Sequence, residues 1–177
     1  MGERLLPHRG ERRRRAHERI CGECTVCCNV HEIQALPTPK PAGQWCQHCT
    51  IGVGCQIYNE RPQVCKDYLC GWRKGVGKEE DRPDKGKIVI DYYPEGLMPG
   101  KTVILYEAVQ GALASMRGRD ISVFFLESDT SVLHIHLFAK KQLLFLPRGK
   151  FLSQKLLDAM KESGIELGDT HSLYQVQ

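Results

Sequence analysis

The sequence predicts an α+β protein, in which an irregular, metal-stapled, cysteine-rich module is packed on or tethered to a small antiparallel sheet with two helices. Two observations predict this class. All nine cysteines fall between Cys21 and Cys70, so the composition changes sharply after Cys70. The cysteine-free remainder alternates between apolar patterns typical of strands and of helices. A chain of 177 residues has room for one ordinary domain or two small modules.

Residues 1–18 are predicted to form a basic leader ahead of the cysteine-rich module at residues 19–75. Residues 1–20 contain seven Arg and three Glu, an excess of +4 that equals the net charge of the whole chain. The arginine run could pair with phosphate, which makes nucleic acid or an acidic protein a candidate partner. A solvated, partly helical tail is the favoured interpretation, because no aromatic residue lies among these arginines to stack on bases.

The chain contains no run of about 18 apolar residues, a pattern that excludes a transmembrane helix. Its N-terminus also lacks the apolar segment of a secretory signal. Nine is an odd number of cysteines, and a reducing cytosol disfavours disulfides. We therefore expect a cytoplasmic protein whose thiolates are held for metal ions.

Residues 76–87, rich in glycine and charge, are predicted to be a linker to an α+β unit at residues 88–177. The unit should begin with a strand from Ile88 to Tyr93. A helix should follow and end near Gly118, because four apolar residues step by four positions. These residues are Ile104, Ala108, Ala112 and Met116.

Three further strands are predicted at residues 121–127, 132–139 and 142–146. Short polar links join them, so we expect antiparallel pairing. A last helix should span Leu152 to Ser163 and stop at Gly164. The economical arrangement places two helices on one face of a four-stranded sheet.

Two histidines, His134 and His136, alternate onto one face of a predicted strand. Such a pair could bind a metal or act in acid–base chemistry. The alternative is an ordinary, solvent-facing strand surface, which the lack of a nearby acidic or cysteine partner in the sequence favours.

The first cysteine cluster is a double Cys-x-x-Cys unit. Each unit lets two sulfurs converge on one ion, at about 2.3 Å for zinc, so Cys21, Cys24 and Cys27 should converge. Cys28 directly follows Cys27, and neighbouring side chains diverge on a strand or a helix. The two residues should therefore serve two centres, or one of them should support the other from outside the metal shell.

The later cysteines supply partners for the first cluster. Cys46 and Cys49 form a third Cys-x-x-Cys, and Pro62 favours a short helix with Cys65 in its first turn. Cys65 and Cys70 can reach one ion only if that helix ends before Gly71. With His31 and His48 as possible imidazole donors, the count is enough for two tetrahedral sites. The predicted metal ligands are Cys21, Cys24, Cys27, Cys28, Cys46, Cys49, Cys55, Cys65 and Cys70.

The energetics of this region also favour a metal. Large aliphatic residues are sparse between Cys21 and Trp72, too few to offset an ordering cost of about 1 to 2 kcal/mol per residue for the backbone alone. A structural zinc site contributes roughly 10 to 16 kcal/mol of apparent binding energy. Zinc or iron, including an iron-sulfur cluster, fits a donor set of this kind.

The motif Cys21-x-x-Cys24-x-x-Cys27-Cys28, followed by Cys55-x-Ile-Tyr-x-x-Arg-Pro-x-x-Cys65, resembles the CxxCxxCC cysteine-cluster family. This YkgJ-like family is described as a zinc- or iron-chelating domain, and the match covers roughly 50 residues. The resemblance implies that seven cysteines, all except Cys46 and Cys49, are ligands, and that Tyr58, Arg61 and Pro62 shape the site. Related clusters also occur in the flagellin lysine N-methylase, but no glycine-rich, methyl-donor loop follows a strand here.

Three functions are consistent with these patterns. The leading hypothesis is a cytoplasmic metal-chelating protein that binds zinc or iron through clustered thiolates. The first alternative is an iron-sulfur enzyme or electron carrier. The second is an interaction module folded by zinc, whose basic leader engages nucleic acid or an acidic protein, with salt-sensitive binding.

Overall fold

The computed structural model describes residues 19–93 and 100–175. The basic leader therefore lies outside the described residues. The chain divides into two compact units, Met1–Val89 and Ile90–Gln177. In the described ranges it contains six α-helices, a two-stranded antiparallel sheet and a five-stranded mixed sheet, which confirms the α+β class. No described helix has the length and apolarity needed to cross a membrane.

Within residues 19–87, the described helices and strands of the first unit are all short. In chain order these are α1 (Cys27–Val30), β1 (Cys49–Thr50), β2 (Gly54–Cys55), α2 (Gln63–Asp67), a 3-10 turn (Glu79–Asp81) and α3 (Pro83–Gly86). Strands β1 and β2 form an antiparallel hairpin in which Cys49 pairs with Cys55. The segment predicted as a linker thus contains the 3-10 turn and α3, and Pro83 occupies the first helical turn, where a missing N–H costs nothing.

Buried apolar side chains of the first unit pack with cysteines. One cluster consists of Ile33, Leu36 and Cys46, with three further cysteines packed against it. Trp72 is also buried, and its indole nitrogen donates to the carbonyl of Lys78 at 2.9 Å. Cysteine side chains thus take part in the described apolar packing of this unit.

Five strands form the large sheet, in the spatial order β3-β4-β5-β6-β7. The pair β4–β5 is parallel, β5–β6 is antiparallel and β6–β7 is parallel. The sheet is therefore mixed, not wholly antiparallel as predicted. The bounds are β3 Ile88–Tyr92, β4 Lys101–Glu107, β5 Thr130–His136, β6 Lys141–Phe145 and β7 Ile165–Leu167.

Helix α4 (Met116–Glu127) connects β4 to β5, and α5 (Gln154–Glu162) connects β6 to β7. The two helices cover opposite faces of the sheet, not one face as predicted. Ser122 of α4 bonds to His134, whereas Met160 of α5 packs on Leu133, whose side chain points the other way along β5. The right-handedness of β-α-β connections explains this arrangement. Both connections lead to the next strand on the same side, but the strands of the second pair run opposite to those of the first. Two connections of the same hand therefore lie on opposite faces.

Two predictions of secondary structure in this unit were wrong. Residues Lys101–Glu107 form a strand, not part of a helix, because the apolar run Val103 to Leu105 is buried on both faces of the sheet. Residues predicted as a strand at 121–127 lie in α4. This helix begins at Met116, because the Ser115 hydroxyl accepts a capping hydrogen bond from the Gly118 amide at 3.1 Å. Gly118 lies in the first turn of α4 and does not end a helix, contrary to the prediction.

The predicted sheet of four strands was also wrong, because Lys101–Glu107 and Ile165–Leu167 are strands that were not predicted and 121–127 is helical. The remaining elements predicted for this unit were confirmed. Strands β3, β5 and β6 lie at the predicted positions to within two or three residues at each end. Helix α5 ends before Gly164, which has the positive φ of 72° expected of a glycine stop. A short final helix, α6 (Thr170–Tyr174), follows β7.

The histidine pair does not lie on a solvent-facing strand surface. His134 is buried, and its Nε2 atom is 2.7 Å from the Ser122 hydroxyl. His136 Nδ1 lies 3.5 Å from the carboxylate of Glu107, which is also buried. Burial lowers the pKa of His134 to about 3. The pair is thus part of the polar interior between the sheet and α4.

Candidate metal centre

All nine cysteines are free thiols, and they fall into two groups within the first unit. Each group is defined by which sulfurs lie close enough to influence one another electrostatically. The six-thiol group consists of Cys27, Cys28, Cys46, Cys49, Cys55 and Cys65. The three-thiol group consists of Cys21, Cys24 and Cys70.

Local hydrogen bonds assemble the six-thiol group from four chain segments. Helix α1 contributes Cys27 and Cys28, and the carbonyl of Cys28 accepts the Cys46 amide at 3.0 Å. The Cys46 carbonyl in turn accepts the Cys49 amide at 3.0 Å, which is the tight turn expected of a Cys-x-x-Cys unit. The segments that carry the remaining members are β2 and α2.

The side chains of Cys27 and Cys28 lie side by side, which differs from the divergence expected of neighbours. A hydrogen bond with the Cys27 thiol, together with burial, raises the pKa of Cys28 well above its usual range. Cys28 also interacts with the thiol of Cys49, whose pKa burial raises to about 11. Thiols packed this closely resist ionisation unless a cation shares the site, since adjacent thiolates repel one another.

A buried cation lies beside the six-thiol group. Lys40 is only 5% exposed, and its ammonium donates to the carbonyls of Asn29 at 2.8 Å and Gln44 at 2.7 Å. Its electrostatic neighbours include Cys46 and Cys28. Burial lowers the pKa of Lys40, while nearby thiolates oppose that shift. Sequence reasoning missed Lys40, because a lone lysine between two prolines has no pattern that signals burial.

The three-thiol group joins the two ends of the cysteine-rich region. Cys21 and Cys24 share a turn in which the Cys24 amide donates to the Cys21 carbonyl at 2.9 Å. Cys70 is buried, and burial raises its pKa to about 11. Backbone N–H groups point at two of the sulfurs: those of Val26 and Asp84 at Cys24, and those of Trp72 and Arg73 at Cys70. Such N–H donors favour the thiolate form.

The double Cys-x-x-Cys motif is therefore divided between the two groups. Cys27 lies in the six-thiol group, whereas Cys21 and Cys24 lie with Cys70. Helix α2 does end before Gly71, yet Cys65 and Cys70 belong to different groups. Cys46 and Cys49, the two cysteines outside the ligand set that the resemblance implies, are in the six-thiol group.

Charged side chains surround the three-thiol group. Arg73 Nη1 lies 4.0 Å from the sulfur of Cys21. The Asp84 carboxylate interacts with the Cys24 thiol and accepts two bonds from Arg82, both of 2.7 Å. The Arg82 guanidinium holds the pKa of Asp84 below its usual range. Sequence reasoning missed Asp84, because the residue lies in the segment interpreted as a linker.

The residues expected to shape the site contact each other and the backbone. The Arg61 guanidinium stacks on the Tyr58 ring at 3.6 Å and reaches the carbonyl of Cys65 at 3.5 Å. The two candidate imidazoles each contact a neighbouring side chain. His31 packs edge-on against Tyr68 at 4.4 Å, and burial lowers its pKa to about 4. His48 is beside Gln47.

The donor chemistry of both groups fits a thiophilic metal ion, because both offer sulfur donors close to fixed positive charge or to N–H donors. Within residues 19–93 and 100–175, no three His, Cys, Asp or Glu side chains are already arranged as a metal shell.

Fold and thiol groups together define an α+β protein with a cysteine-rich unit and a mixed-sheet unit. Comparison with protein-family models, with curated proteins and with solved structures gives no match.

Proposed function

We propose that this protein chelates zinc or iron through the thiolates of its cysteine-rich unit. The observation that supports the proposal is that nine free thiols, spread over 50 residues of sequence, gather into two groups. Gathering thiols without disulfides costs electrostatic energy on ionisation, and a bound cation removes that cost. The resemblance to the CxxCxxCC family supports the same function.

The environment of the six-thiol group favours metal over redox pairing. Lys40 places a buried positive charge beside the sulfurs, which offsets part of the negative charge of a thiolate-bound metal. Six sulfurs exceed one tetrahedral shell, so this group can supply a closed four-thiolate site with sulfurs to spare. Free thiols in this number also favour a reducing compartment, and we place the protein in the cytoplasm.

Zinc is the first choice, since it accepts closed thiolate shells and stabilises small modules with little apolar core. An iron-sulfur cluster uses the same donors, and it would make the protein an electron carrier or the redox centre of an enzyme. Visible absorption separates the two, because zinc thiolates are colourless and iron-sulfur clusters are not.

A matched pair of variants on helix α2 tests the proposal. Cys65→Ser removes one sulfur of the six-thiol group, whereas Val64→Ser makes a similar change at an exposed neighbour. We expect Cys65→Ser to lower the metal content of protein purified without oxygen and to destabilise the first unit. Val64→Ser should retain the wild-type metal content. Equal metal content in both variants would remove Cys65 from the ligands.

A further inference from the structure

The three-thiol group offers three sulfurs, one donor short of a tetrahedral shell. We infer that Asp84 completes this group and that Cys21, Cys24, Cys70 and Asp84 form a second site, for a divalent cation of the zinc class. The inference rests on the proposed function and adds to it a separate site with a mixed sulfur and oxygen donor set.

Asp84 is in contact with the Cys24 sulfur. Asp84 meets this sulfur in two ways, through its backbone N–H and through its carboxylate. Pro83 begins helix α3 immediately before Asp84 and fixes the backbone from which both groups project. A carboxylate oxygen beside a thiol is therefore built into the fold at this point.

Arg82 orients the Asp84 carboxylate. Its Nε and Nη2 atoms each donate to one Asp84 oxygen at 2.7 Å. An ionised carboxylate has about four lone-pair positions, and the Asp84 backbone N–H takes a third, so one remains for a cation. Ligating carboxylates are commonly held in this way by an outer hydrogen-bond partner. Arg82 and Asp84 thus resemble a ligand with its support more than an isolated surface ion pair.

Nearby arginines balance the negative charge of the proposed donor set. Three thiolates and a carboxylate carry more negative charge than one divalent cation neutralises. Arg73 near Cys21 and Arg82 on Asp84 place two positive charges around the group. Guanidinium groups stay protonated at all relevant pH values, so this compensation is permanent.

The two groups should differ in how readily they exchange metal. Cys21 is exposed, whereas Cys46 of the six-thiol group is buried. A carboxylate is a harder ligand than a thiolate, which weakens binding of soft ions and retains zinc-class divalent ions. The site with Asp84 should therefore be the weaker and more accessible of the two.

Cobalt titration of the full chain, reduced and without oxygen, tests the inference. Cobalt bound by thiolates absorbs in the near ultraviolet, and competition with a chelator resolves classes of affinity. We expect two classes in the wild type, and a weakening of about tenfold or more in the weaker class for Asp84→Asn. Glu80→Gln is the matched control, because it removes a nearby exposed carboxylate. It should leave both classes unchanged.

A second variant separates ligation from a structural role. Asp84→Cys cannot accept the paired bonds of Arg82 but offers a metal donor, so we expect it to retain or strengthen the weaker class. Loss of that class in both Asp84 variants would make the residue structural and overturn the inference. Titrations of Asp84→Asn and Glu80→Gln that coincide would also overturn it while leaving the proposed function standing. No cobalt binding by the wild type would overturn both.

Discussion

Lys40 offers the sharpest test of how the six-thiol group is stabilised. Lys40→Met keeps most of the aliphatic stem but removes the ammonium that bonds to the Asn29 and Gln44 carbonyls. Hydrogen bonds from a charged donor contribute about 1.5 to 3 kcal/mol each, and the change leaves two carbonyls without this donor. Relief of the ammonium desolvation offsets part of that loss. We expect a net destabilisation of about 2 kcal/mol, which corresponds to roughly 10 °C in a unit of this size.

Tryptophan fluorescence is the appropriate assay for Lys40→Met. Both tryptophans of the chain, Trp45 and Trp72, lie in the first unit, so the signal reports unfolding of that unit alone. Lys66→Met is the matched control, because it removes the same charge from an exposed position on α2. Melting temperatures of the two variants within about 2 °C of each other would refute the structural role of the Lys40 ammonium.

Three further predictions concern the second unit and the leader. Gly118→Ala should destabilise the fold by about 1 to 2 kcal/mol in a denaturant titration, because a Cβ would lie 2.5 Å from the Leu113 carbonyl oxygen and the helix-propensity gain is smaller than that clash. Acid should destabilise the unit: burial lowers the pKa of His134 to about 3, so the unfolded chain binds more protons and stability falls from about pH 6.5 towards pH 3, by up to about 1.4 kcal/mol per pH unit. His134→Gln should flatten that dependence in acid titrations followed by circular dichroism, and an unchanged slope would contradict the assignment. Deletion of residues 1–18 should abolish any salt-sensitive binding of single-stranded nucleic acid in gel-shift assays, and binding that survives the deletion would exclude the leader as the contact.

Local patterns predicted several elements of the second unit correctly. Helix α5 has a clear helical period and a glycine stop, and β5 and β6 have β-branched or apolar runs bounded by polar links. One failure, at β4, occurred where burial on both faces of the sheet produced a continuous apolar run. The other occurred at 121–127, where an apolar run inside helix α4 was interpreted as a strand. Ile104 of β4 also begins a series of apolar residues spaced by four, which is typical of a helix. The choice between strand and helix depends on pairing with the parallel strand β5, which is distant in sequence.

The arrangement of the thiols required the tertiary fold. Cysteine spacing predicted the tight turns at Cys21–Cys24 and Cys46–Cys49, because each is a local hydrogen-bonded unit. Spacing did not predict the division of the first motif between two groups, since Cys70 approaches Cys21 and Cys24 from about 50 residues away in sequence. Lys40 acquires its role only through burial, so no local pattern signals it.

The most direct test of the central claim is the metal content of the full chain, purified without oxygen and without a metal-leaching resin, with an ultraviolet-visible spectrum of the same sample. We predict at least one zinc or iron ion bound per chain. We also predict that removal of this metal by a strong chelator unfolds the first unit, as measured by tryptophan fluorescence. Colourless zinc protein would favour a closed chelating site, and iron with sulfide and visible absorption would favour a cluster. Metal-free protein whose first unit melts at the same temperature with and without added zinc or iron would contradict the claim.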